Sequence, residues 1–144
     1  MKLCKLRLSF FLGVIVIVSL CANYAFADGL LIISNKNIAE ASLTKADVKN
    51  IYSGKKTKWG NDETIVVTVL AGSDAHKAFL KEFVKKSPSQ FKLTWKKMMF
   101  TGKGNPPKKF KDMKSLVEFV EKTDGAIGYI TPDMKSDGIK VIAE

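Results

Sequence analysis

Cysteine, arginine and histidine are nearly absent from this sequence of 144 residues. Both cysteines, Cys4 and Cys21, lie near the N-terminus; Arg7 is the sole arginine and His76 the sole histidine. Beyond residue 21 there is therefore no disulfide, no thiol chemistry and no cysteine metal ligand. The carboxylates show no metal-ligand spacing, and no nucleophile–base set or glycine-rich phosphate loop occurs. The sequence accordingly predicts no catalytic residue, no metal site and no cofactor.

The first 27 residues follow the three-part order of a secretory signal. Three basic residues lie within the first seven positions, an apolar run covers residues 8–21, and Ala25 and Ala27 supply the small side chains that a signal peptidase reads. The sequence thus predicts a signal peptide over 1–27 and a periplasmic or secreted protein. One alternative is a membrane anchor, although about 14 apolar residues are fewer than the roughly 20 that span a bilayer. Another is a lipid on Cys21, although Leu20 replaces the small residue expected before it.

Residues 28–144 are long enough for one domain with its own core. This segment carries 21 lysines, 14 acidic residues and no arginine, so its net charge is +7. Lysine is a mobile point charge, whereas arginine grips phosphate or carboxylate with a planar fork. The segment therefore lacks the side chain best suited to specific oxyanion capture.

Lysines are concentrated over residues 55–58 and 103–111, both predicted to be loops. Such clusters are commonly solvated surface, but they can also attract an anionic solute, lipopolysaccharide or an acidic protein. Nucleic acid is not expected as a partner, because the protein is predicted to leave the cytoplasm and its aromatic residues follow core spacing.

The apolar spacing predicts strands alternating with helices, the pattern of an α/β layered domain. Strands are expected over residues 29–34, 64–70, 126–130 and 139–143. Helices are expected to begin after the capping residues Thr44, Ser73, Ser87 and Asp112. Residues 101–107 (TGKGNPP) cannot form a helix and are predicted to be a loop.

The candidate binding site is the strand–helix joint formed by Gly72, Ser73, Asp74, Ala75 and His76. A helix that starts directly after a strand presents free backbone N–H groups and a positive dipole end, where anions bind. The Ser73 hydroxyl and His76 would add donors, whereas the charge of Asp74 opposes an anion. The alternative is that Ser73 only caps the helix and that His76 is incidental.

Three stretches together resemble the substrate-binding proteins of phosphate ABC transporters. Residues 43–59 (LTKADVKNIYSGKKTKW) resemble that family's Leu-Thr helix, Gly-Lys turn and Trp. The strand over 64–70 with the helix after Ser73 is the second stretch, and residues 125–130 (GAIGYI) match the family's Gly-Ala-Ile-Gly-Tyr strand. Residues 100–107 resemble a short bacterial subfamily. The resemblance implies a single periplasmic-binding-protein-like lobe, with a small mixed sheet flanked by helices.

The resemblance also implies a changed anion site. Family members close two lobes on the anion, and this chain is long enough for one. The family lobe holds phosphate with an Arg four residues before a Ser-Gly-Thr at a helix start. Ser73 matches that Ser, whereas Val69, Asp74 and Ala75 occupy the Arg, Gly and Thr places.

Two functions from different classes follow from these observations. The first is an exported, non-enzymatic solute-binding domain that takes phosphate or another small anion for transport or sensing. The second is an accessory module of the bacterial envelope that binds another protein through the surface a second lobe would cover. An envelope enzyme using His76 is a third, weaker alternative.

Overall fold

A computed structural model describes residues 29–144, so the predicted signal peptide and its cleavage site lie outside the described residues. The strands are β1 (Leu31–Asn35), β2 (Val66–Leu70), β3 (Lys108–Phe110), β4 (Ala126–Ile130) and β5 (Ile139–Ala143). The helices are α1 (Lys45–Tyr52), α2 (Asp74–Phe79), α3 (Pro88–Phe100) and α4 (Met113–Lys122). A π-helical turn, Leu80–Val84, continues α2, and a 3-10 turn, Pro132–Met134, precedes β5. The predicted α/β alternation is confirmed.

The strands form one mixed sheet in the order β3-β2-β4-β1-β5. β2 pairs in parallel with both β3 and β4, whereas β1 is antiparallel to β4 and β5. The register aligns Val67 with Ile127 and Ile33 with Gly128. The carboxyl ends of the parallel strands β2, β3 and β4 consequently lie together, along what we call the carboxyl edge of the sheet. The joint after β2 is found there.

Strand β3 is the strand that the sequence pattern did not predict. Lys108 and Lys109, which the sequence places in a loop, lie on this three-residue strand and align with Thr68 and Val69 of β2. The strand is at the edge of the sheet, and its two lysines are exposed. A short, lysine-bearing edge strand has no apolar alternation to reveal it, and exposed charge helps to keep such an edge from pairing with another chain.

All four predicted helix caps are confirmed. Thr44 and Ser87 form capping boxes with Asp47 and Gln90, respectively. Ser73 caps α2, and Asp112 accepts a hydrogen bond from the Ser115 backbone N–H. These caps satisfy donors that no helix can satisfy internally, which is why short polar side chains mark helix starts in the sequence.

The core beside the joint is aromatic. Phe79 of α2 stacks on Tyr129 of β4 with ring centroids 4.1 Å apart and meets the edge of Tyr52 at 4.5 Å. Phe83, in the π-helical turn, stacks on Phe79 at 5.5 Å. These side chains are almost fully buried, so the C-terminal end of α2 is held against the sheet. Among the described residues, no helix combines the length and apolar character that crossing a membrane requires.

Candidate functional site

The joint between β2 and α2 is built by Gly72 and Ser73. Gly72 has φ +75°, a left-handed conformation that glycine adopts without steric cost. The Ser73 Oγ accepts a hydrogen bond from the His76 backbone N–H at 3.0 Å and donates one to the Leu70 carbonyl at 2.8 Å. Ser73 therefore turns the chain and caps α2 at the same time.

The five predicted site residues lie together at the carboxyl edge of the sheet, but their side chains point to different surroundings. Ala75 and His76 are buried. Asp74 is exposed, and its carboxylate lies 3.5 Å from the Lys77 ammonium group, an exposed pair that adds little stability. The proton of the Ser73 hydroxyl is already directed to Leu70. The backbone donors left at the joint are the N–H groups of Asp74 and Ala75, because the His76 N–H is already bonded to Ser73.

His76 belongs to a buried hydrogen-bond chain rather than to the solvated surface. The Tyr129 hydroxyl accepts a hydrogen bond from the Leu70 backbone N–H at 2.9 Å and lies 2.7 Å from the His76 Nδ1. A phenol has one proton to donate. We assign that proton to the bond with Nδ1, which places the imidazole proton of neutral His76 on Nε2.

The protonation states of this pair agree with the assignment. Burial lowers the pKa of His76, because desolvation disfavours the imidazolium ion. Burial likewise raises the pKa of Tyr129, which keeps its phenol protonated and able to donate. His76 therefore presents a neutral ring with one remaining donor at Nε2.

Two adjoining clefts lie along α3. The larger, about 490 Å³, lies beside the loop after α3 and is lined by Lys56, Thr57, Lys58, Thr64, Ile65, Val67, Trp95, Met99, Gly102, Lys103, Gly104, Asn105 and Pro106. It brings together lysines from the two segments that the sequence showed as separate clusters. The fold, rather than local spacing, thus creates this basic surface.

The smaller cleft, about 370 Å³, is called the apolar cleft, since most of its lining surface is apolar. Its lining residues are Val69, Ala71, Gly72, His76, Pro88, Phe91, Lys92, Trp95, Lys96, Met99, Pro106, Pro107 and Lys109. It reaches the predicted joint through Gly72 and His76. Sequence reasoning did not find this cleft, because its wall combines β2, α2, α3 and the segment before β3.

The described residues contain no cluster of three or more side chains suited to holding a metal ion.

The family model of the PBP superfamily domain matches residues 21–141, which is most of the chain. The protein therefore belongs to the PBP superfamily, a fold class in which a mixed sheet is flanked by helices. A search of curated proteins found no match.

Among solved structures, phosphate-type binding proteins are similar in fold to this chain. A Clostridium perfringens protein assigned as a phosphate ABC transporter substrate-binding protein, with bound phosphate, is 25% identical with a TM-score of 0.65, covering 80% of this chain and 44% of that one. An ABC-type phosphate transport receptor from Vibrio cholerae (19% identity, TM-score 0.61, 80% and 45% coverage) has the same fold. PstS from Borrelia burgdorferi also has this fold, with 15% identity, a TM-score of 0.60, and coverage of 81% of this chain and 47% of that one. The resemblance predicted from the sequence is confirmed.

The chain spans less than half the length of each of these three structures. The fold it shares with them is one mixed sheet flanked by helices, as the sequence predicted.

Proposed function

We propose that this protein is an exported, non-catalytic solute-binding domain that takes a small anion at the joint Gly72–His76. The observation that carries the proposal is the joint itself, where free N–H groups of a helix start lie at the carboxyl edge of a PBP-type sheet. The phosphate bound to the Clostridium perfringens neighbour supports an anion as the ligand class. The net positive charge of residues 28–144 would raise the local concentration of such a ligand.

The composition of the joint indicates weak binding of phosphate. Val69, at the place of the family's arginine, is 2% exposed and brings no charge. Ala75 has no hydroxyl, and Ser73 directs its hydroxyl proton to Leu70. A bound oxyanion would keep several oxygen atoms without donors, each costing about 1–3 kcal/mol when desolvated. Asp74 adds a negative charge on the first turn of α2.

Replacing Asp74 by glycine is therefore expected to strengthen phosphate binding, by about three- to tenfold at low salt. The substitution removes a repelling charge and restores the residue of the resembled family. Calorimetric titration of phosphate, with a parallel thermal-melting series, measures the change, because a bound ligand raises the melting temperature by mass action.

Two controls separate charge from backbone effects. Asp74→Asn removes the charge without adding glycine flexibility, so it should reproduce most of the gain. Asp137→Asn removes the same charge from an exposed residue before β5, and should leave phosphate affinity unchanged. If Asp74→Gly folds normally but alters the affinity for no anion, the joint is only a structural cap.

The mature protein is expected to begin at Asp28. Basic, apolar and small-residue regions in this order direct export and cleavage after Ala27. The measurement is the intact mass of the protein recovered from the periplasmic fraction. A mass that still includes residues 1–27, or that carries a lipid on Cys21, would contradict both the cleavage site and the freely diffusing exported form.

An interaction module of the envelope is the second candidate, and one observation favours it. The α3 side chains Leu93, Met99 and Phe100 are exposed, Phe100 at 81% and Leu93 at 67%. Large apolar side chains grouped on one helix are typical of protein-binding surfaces. This candidate replaces the first if no anion changes the melting temperature.

A further inference from the structure

The apolar cleft contains a buried polar side chain whose remaining donor has no partner among the described residues. His76 is only 8% exposed, and its Nδ1 is turned to the Tyr129 hydroxyl at 2.7 Å. His76 lines the cleft. Because Nδ1 is turned to Tyr129, we infer that the ring edge bearing Nε2 faces the cleft. A neutral imidazole with its proton on Nε2 offers a single, directed N–H donor there.

The wall next to His76 is aromatic. The Phe91 ring meets the His76 ring edge-to-face with centroids 5.6 Å apart, and Trp95 follows at 6.4 Å from Phe91. Both side chains are buried, and the Trp95 indole N–H is already bonded to the Tyr52 carbonyl at 2.9 Å. The indole is thereby held in place with its one polar group already bonded, and Trp95 lines the cleft, which suits an apolar ligand body.

The charges around the apolar cleft are of one sign. Lys92, Lys96 and Lys109 line it, and no acidic side chain does among the described residues. All three lysines are exposed residues, so they supply a positive potential at the opening rather than a fixed contact. A volume of about 370 Å³ lies within the usual range of small-molecule sites, and an inorganic phosphate would leave most of the apolar wall uncovered.

We propose that the apolar cleft binds a small organic anion with an apolar body, such as an aryl-substituted carboxylate. The His76 Nε2–H donates to an oxygen of the anionic group, the apolar body lies against Phe91 and Trp95, and the lysines attract the charge. This inference rests on the proposed solute-binding function and names a ligand class that inorganic phosphate does not satisfy.

The test is calorimetric titration of the protein, as processed by its host cell, with 3-phenylpropanoate, with the uncharged 3-phenylpropan-1-ol, and with inorganic phosphate. The carboxylate is expected to bind at least tenfold more tightly than the alcohol. His76→Asn keeps an acceptor for the Tyr129 hydroxyl but removes the donor toward the cleft, and should weaken carboxylate binding about tenfold or more. His76→Gln, whose longer amide reaches the Nε2 position, should weaken it less.

Leu93→Ala, which alters an exposed α3 side chain outside the cleft lining, should leave carboxylate affinity unchanged. If wild type, His76→Asn and His76→Gln bind 3-phenylpropanoate with equal affinity, the proposal is overturned. It is also overturned if 3-phenylpropan-1-ol binds the wild type as tightly as 3-phenylpropanoate does. Binding of phosphate alone would also overturn it, while leaving the proposed solute-binding function in place. If neither anion binds, the apolar-cleft proposal and the proposed solute-binding function both fail, and the interaction module is the function that the structure then supports.

Discussion

Truncating Phe79 to alanine is expected to lower the free energy of unfolding by about 3–5 kcal/mol. Phe79 is fully buried and contacts three other aromatic rings, those of Tyr52, Phe83 and Tyr129. The substitution removes the transfer free energy of the ring and leaves a cavity that rigid aromatic neighbours cannot refill. It also removes the ring stacked on Tyr129, the residue that orients His76, so ligand binding in the apolar cleft should decline with stability.

The matched control is Phe100→Ala, which deletes the same ring from a residue that is 81% exposed. Its expected effect is within about 0.5 kcal/mol, the usual range for surface substitutions. Urea denaturation followed by circular dichroism measures both variants. If both variants lose the same free energy of unfolding, Phe79 is not part of the hydrophobic core.

Replacing Gly125 by alanine is expected to destabilise the protein by about 3 kcal/mol or more, from left-handed strain and a steric clash together. Gly125 has φ +73°, and a Cβ there would lie 2.3 Å from the Thr64 carbonyl oxygen. That oxygen belongs to the backbone, so relief requires moving the segment before β2. The Gly125 carbonyl also accepts hydrogen bonds from the Trp59 indole at 3.0 Å and the Val66 N–H at 2.9 Å, which such a shift would stretch.

Gly102→Ala isolates the strain from the clash. Gly102 has φ +66°, and a methyl group added to its Cα would meet no atom within 4 Å. Only the cost of the left-handed conformation therefore applies, about 1–2 kcal/mol. The difference between the two unfolding free energies measures the clash with Thr64. A loss for Gly125→Ala no greater than that for Gly102→Ala would show that the contact between Gly125 and the segment before β2 is loose.

Most elements of the fold were predictable because their signals are local. Ser87, Pro88 and Gln90 mark the start of α3 through a capping box and a first-turn proline, and both features act within one helical turn. The β-branched run before Leu70 and the apolar run after Gly125 form the fully or nearly fully buried strands β2 and β4. Strand β3 was missed, since among residues 29–144 it pairs with β2 alone, which is far away in sequence.

The candidate site was predictable only in part. The joint from Gly72 to His76 is contiguous, so the strand–turn–cap order reveals it. The partner of His76 is Tyr129, 53 residues away, and no spacing rule connects them. The sequence analysis treated His76 as a donor to an anion at the joint or as incidental, whereas the fold buries it and directs its Nδ1 to a phenol.

The sequence by itself determined the helix starts, most of the strands and the family, because capping, turn chemistry and apolar periodicity depend on neighbours within a few residues. Tertiary structure decided where the lysine segments meet, that β3 exists, and that His76 and Tyr129 share a hydrogen bond beside an apolar cleft. These features depend on which strands pair in parallel and on how α3 packs against them. Contacts between distant segments are fixed by the burial of the whole core rather than by any local pattern.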